Sequence, residues 1–162
     1  MAGRTTHIVA GVTAGIGYAA YQAKEQTTPN RLAEIAGGGV GGYLGGVLPD
    51  LLEPGISSWH RGTAHSWSAG ASVVSLRNRL IEWEKFCREQ AENCKAIPMV
   101  PVDAFTFVPA PADPISDLFA KLAELFWRFL AGLANGLAAG YVSHLALDAF
   151  TPRSLPLLAS GF

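Results

Sequence analysis

The chain has 162 residues, enough for one domain around a single core, and is 49% hydrophobic but only 15% charged. An average soluble domain carries about 25% charged residues, so this composition, with a mean hydropathy of +0.24, points to apolar surroundings. A net charge of −1 excludes the basic field of a nucleic-acid binder.

In chain order, MAGRTTHIVAG superficially resembles a secretory leader. It carries His7 and runs into GYAAYQAKEQ without a small-residue cleavage pattern, so it reads as mature protein. A helix is expected there, with His7 at its opening and Thr5 or Thr6 as cap. Four stretches lack Asp, Glu, Lys and Arg: residues 5–23, 35–49, 62–76 and 129–147. The first and last span 19 residues and the middle two 15, against about 20 for a bilayer-crossing helix.

The second stretch, AGGGVGGYLGGVLPD, repeats Gly37, Gly41 and Gly45, and in a second register Gly38, Gly42 and Gly46. Glycine inside a helix costs about 1 kcal/mol relative to alanine, and small residues at i, i+4 offset that by letting backbones approach closely. A phosphate-cradling loop would need a following Gly-Lys-Ser/Thr, which is absent. A flexible linker would not intersperse Val40, Tyr43, Leu44, Val47 and Leu48. Close helix packing is the expectation, followed by a turn at PDLLEP.

From Arg77 to Lys95 the pattern predicts an amphipathic, solvent-facing helix with a seam of Leu80, Trp83 and Phe86. Its cysteines, Cys87 and Cys94, lie two helical turns apart, about 10 Å, too far for a disulfide. The following AIPMVPVDAFTFVPAPADPIS holds five prolines and reads as a loop. Helical periodicity resumes from Asp117 through Leu118, Leu122, Leu125 and Phe126, and TPRSLP punctuates the end. The expected architecture is all-α: one multi-helix domain over residues 1–162, with a closely packed Gly-rich helix and an insertion at 77–117.

The chemistry-bearing residues sit at the edges of the apolar segments. His60 and His65 fall in HRGTAHS, Asp50 and Glu53 flank PDLLEP, and His144 precedes Asp148 by one helical turn in SHLALD. Each alone is commonplace: a capped histidine, a turn aspartate, an incidental pair. Together, imidazoles and carboxylates in apolar company suit a divalent metal, zinc first and manganese or iron as alternatives.

TTHIVAG, LPDLLEP, HRGTAHS and GYVSHLALDAFTP, in this order, resemble the membrane-associated metal-dependent hydrolase family, whose members are often labelled LexA-binding, inner-membrane-associated hydrolases. The family is distantly similar to zinc-dependent phospholipase C and the all-helical single-strand-specific zinc nucleases. The resemblance covers residues 5–76 and 136–158. It implies metal ligands at His7, Asp50, His65, His144 and Asp148. Glu53, His60 and Arg61 follow as catalytic candidates: a general base or further ligand, and a guanidinium clamp for an anionic substrate oxygen. Arg61 can equally be read as a salt-bridge partner of Glu53, and Ser66 as a helix-start hydrogen bonder rather than a nucleophile. Many members carry a second aspartate two residues after the first; that position is Leu52 here, with Glu53 next.

Three function classes follow. The first is a hydrolase of phosphoesters, small-molecule or lipid, at an inner or cytoplasmic membrane. The second is a non-catalytic membrane module with a structural metal, its Gly-rich helix pairing copies of the chain. The third is a metal-transport component, for which Asn135 is the one mid-helix polar residue.

Overall fold

A computed structural model describes residues 3–52, 67–95, 99–101, 107–109 and 113–150. The fold is all-α: α1 (Arg4–Gln22), α2 (Thr28–Leu52), α3 (Trp67–Asn93) and α4 (Pro114–Ala149). Within the Pro-rich stretch, β1 (Met99–Pro101) and β2 (Phe107–Pro109) pair antiparallel as a three-residue ribbon, with Val100 opposite Val108.

The glycines set the architecture. On α1, a side chain at Gly11 or Gly15 would strike the backbone carbonyl of Gly42 or Gly38 on α2. As position rises along α1 it falls along α2, so the two are antiparallel. The other α2 register faces α4: a Cβ on Gly37, Gly41 or Gly45 would meet the α4 backbone at Phe129, Leu133 and Leu137. Gly132, Gly136 and Gly140 on α4 press in return on Glu34, Gly38 and Gly42. These pairs rise together, so α2 and α4 run parallel with one constant register. Helix α2 is therefore the centre of the bundle, sandwiched at backbone contact on two sides, as its two glycine registers require.

Helix α4 fuses the expected helical onset with the last charge-free stretch into one element of 36 residues. Asp113 caps it, accepting from the backbone N–H of Ile115 and Ser116, and Pro114 occupies the first turn, where no N–H is needed. It is long and apolar enough to cross a membrane by length and composition, and 44% of its most apolar window is buried within the fold, as a core helix's would also be.

Several local expectations are corrected. The cap of α1 is Gly3, without a side-chain bond, and Thr5 and Thr6 lie inside the helix. The described part of PDLLEP, Pro49 to Leu52, is helix rather than turn, because α2 continues through a buried Pro49 to Leu52; Glu53 and Pro54 lie outside the described residues. The stretch 35–49 lies in a helix of 25 residues, and the described part of 62–76, from Trp67 on, in one of 27, because charged residues extend both. The seam of α3 is also different. Trp83 and Phe86 are 39% and 46% exposed, while Glu84, Cys87 and Ala91 are buried.

The reason for the shifted seam is electrostatic. Arg128 on α4 is 1% exposed and pairs with Glu34, which is fully buried, and with Glu92. Arg88 on α3 bonds Glu34 at 2.6 Å and Glu84 at 2.7 Å. Helix α3 thus turns Glu84 and Arg88 inward to complete this network, leaving Phe86 to pack edge-on against Trp127 at the margin.

Candidate functional site

At the opposite end of the bundle from that network, three helices deliver four polar side chains to one place. His7 comes from the second turn of α1, Asp50 from the last turn of α2, and His144 and Asp148 from successive turns near the end of α4. His7, His144 and Asp148 are buried at 3%, 0% and 2% exposure.

The glycine rows explain why these residues meet. Along α4, Gly132, Gly136 and Gly140 back onto Glu34, Gly38 and Gly42. The next member of that row is His144, and the next of the α2 row is Gly46. There an imidazole fills the space with a hydrogen bond, His144 Nδ1 to the Gly46 carbonyl at 2.6 Å. Gly46 also faces α1, where an added Cβ would lie 2.8 Å from the His7 carbonyl. His7 and His144 consequently stack, ring centroids 3.8 Å apart and planes 20° from parallel.

A carbonyl only accepts, so Nδ1 of His144 carries the proton it donates to Gly46. That directs Nε2 at the carboxylates, 3.7 Å from Asp50 Oδ1 and 3.5 Å from Asp148 Oδ2. His7 Nε2 lies 3.5 Å from Asp148 Oδ1. These separations exceed the roughly 2.7–2.9 Å of a charge-assisted hydrogen bond. They match the edge of a tetrahedron of donors about 2.1 Å from a shared centre, roughly 3.4 Å. One donor atom each from His7, Asp50 and His144 falls within 4.8 Å of the others, a group able to hold a metal ion. Asp148 is set differently, with one oxygen toward each imidazole.

A backbone carbonyl fixing the far nitrogen of a histidine is the usual outer-shell partner of a ligating imidazole. The donor set, nitrogen with carboxylate oxygen, suits zinc, manganese or iron. The cluster is not sealed: the Asp50 side chain is 31% exposed, giving solvent and solute an approach from that side.

Four of the five ligand candidates therefore come together. His65 lies outside the described residues, as do Glu53, His60, Arg61, Ser66 and Arg153. The sequence reading missed the Gly46 carbonyl; its signal was the four-residue spacing itself, which continues from the glycine row into the histidine. Cys87 and Cys94 are unpaired thiols, and burial, then the nearby Glu84 charge, pushes the Cys87 thiol up, away from nucleophile chemistry. No protein-family model, no curated protein and no solved structure matches the chain.

Proposed function

We propose that the protein is a membrane-associated metal-dependent hydrolase whose cation is held by His7, Asp50 and His144, with Asp148 against both imidazoles. The observation that carries this reading is the locked His144 ring. Its Nδ1–H is committed to Gly46 while Nε2 faces two carboxylates at donor-to-donor spacing. When bound, a divalent ion supplies Lewis acidity and a water activated for attack on an ester.

The chain's own residues do the rest. Gly46 fixes the His144 tautomer, Asp148 orients both rings, and the exposed side of Asp50 admits substrate. By the resemblance, His65 completes the ligand set. Glu53 takes a proton or replaces the second family aspartate, His60 is a further ligand or base, and Arg61 would hold an anionic substrate oxygen, with phosphoesters as the substrate class.

Membrane association has its own support. Besides α4, helices α1 and α2 expose Val9, Ile16, Val40, Tyr43 and Leu44, a spread of large apolar side chains that a bilayer would cover. Retention in the membrane fraction after carbonate wash is the expected result, and release without detergent would refute it.

The test of catalysis pairs metal analysis with hydrolysis of generic phosphodiester and phosphomonoester probes on the same preparations. His144→Ala should lose both metal and activity. Glu53→Ala should keep most metal while turnover falls about 10²- to 10⁴-fold, the range of a lost general base. Equal metal loss in both would make Glu53 a ligand. The deep burial of His7, His144 and Asp148 favours a second reading, a structural ion. Full metal content with no hydrolysis of any probe would select it.

A further inference from the structure

Where α3 stands away from α1 and α4, a groove of about 460 Å³ remains, within the range of small-molecule sites. Its walls are Ala14 of α1, Leu80 and Ile81 of α3, and Ala134, Ala138 and Ala139 of α4. Small residues on α4 create the space and the branched pair on α3 roofs it. The α4 lining runs from Ala134 to Ser143, about 13 Å of helix at 1.5 Å per residue, so the groove is elongated.

One buried polar group interrupts the apolar walls. Asn135 lines the groove at 6% exposure, and its Nδ2 has no hydrogen-bond partner among the described residues. Water is a poor remedy, since a buried water needs two to four polar partners. The other polar groups in the lining are Ser143, whose hydroxyl donates to the Gly140 carbonyl at 2.8 Å, and Tyr18, whose oxygen accepts from Gln22. No carboxylate, lysine, arginine or histidine is among the described lining residues.

We infer that this groove binds the acyl chain of a neutral ester, with the Asn135 amide donating to its carbonyl oxygen. An elongated apolar slot selects an alkyl chain, a single buried donor selects one acceptor, and the lack of a cation among the described lining residues argues against a free carboxylate. Val142, 54% exposed, and Tyr18, 36% exposed, leave an open edge through which the chain enters sideways. The inference goes beyond the metal-centre reading, since neither the groove nor its ligand requires an ion at His144.

The experiment uses the full chain in a steroid-type detergent, which carries no competing alkyl chain. It follows displacement of an environment-sensitive fluorescent dodecanoyl ester by methyl dodecanoate and, separately, by dodecane. Saturable binding to the unmodified chain is expected. Ala138→Phe should weaken it about tenfold or more, the effect of excluding two or three methylenes. Asn135→Leu should weaken the ester roughly fivefold, as for one neutral hydrogen bond, and leave dodecane unchanged. Metal content and helicity should not move in either variant. No saturable binding, or an Ala138→Phe chain of normal helicity that binds as before, overturns the groove as a site. Equal weakening of ester and alkane by Asn135→Leu overturns the carbonyl contact. Should Ala138→Phe fail to fold, Val142→Trp at the open edge, where the ring meets solvent, carries the same two outcomes.

Discussion

Burying Arg128 is tolerable because Glu34 and Glu92 accept from its two terminal nitrogens. The partners are unequal. Glu34 is fully buried and shared with Arg88, whereas the Glu92 side chain is 55% exposed and bonded also to Lys95. Removing Glu34 strips Arg128 of its only buried counter-charge among the described residues. Removing Arg128 leaves Glu34 neutralised by Arg88 and Glu92 free to hydrate. Glu34→Leu is therefore expected to cost about 3–5 kcal/mol, the range for an uncompensated buried charge, and Arg128→Met distinctly less. Equilibrium unfolding of the two variants decides this, and the reverse order would show that Arg88 is not the second anchor of Glu34.

Among the helices, the glycines divide by what surrounds them. A Cβ at Gly42 would collide with the Gly11 carbonyl, while Gly17, also inside a helix, has nothing within 4 Å. Gly42→Ala should destabilise by about 1–3 kcal/mol or more through overpacking against an immovable backbone. Gly17→Ala should stabilise by roughly 0.5–1 kcal/mol, since only helix propensity changes. Thermal unfolding that moves both variants the same way would mean the α1–α2 contact is looser than drawn. The same contrast explains what was legible in the chain. A glycine every fourth residue is a local pattern with one physical use, so the close packing of α2 followed from spacing. The alignment of His144 with Gly46 depends instead on the register between two helices distant in sequence. The α3 seam was not legible, because hydrophobic periodicity assumes an apolar partner and Arg128 lies elsewhere in sequence. The continuation of α2 past Pro49 was hidden for a related reason. Proline near a helix end is read locally as a stop, while burial against neighbours holds the last turn. Asn135 could be noticed as a lone polar residue, but the groove beside it is a gap between three helices, which no single stretch encodes.

At the scale of the whole molecule, the bundle carries polar clusters at two levels of α2, Glu34 and Gly46, separated by twelve residues or about 18 Å. The first is a closed set of ion pairs among α2, α3 and α4. The second joins α1, α2 and α4 through His7, Asp50 and His144. An ion at the second would tie the start of α1 to the ends of α2 and α4, so its effect on stability should be both global and local. At an ion concentration 100-fold above Kd, linkage adds about 2.7 kcal/mol, and at roughly 2–4 °C per kcal/mol for a chain of this size the melting temperature should rise about 5–10 °C. Hydrogen exchange should slow most in the first turns of α1 and the last turns of α4, because those segments lose their tether when the ion leaves. The Glu34 level, already closed by arginines, should change only as much as global stability does. Chelation should reverse both effects, and His7→Asn should abolish them while leaving the Arg128 network intact. Uniform protection along α4, or no shift with zinc, manganese or ferrous ion, would mean that the cluster binds no cation.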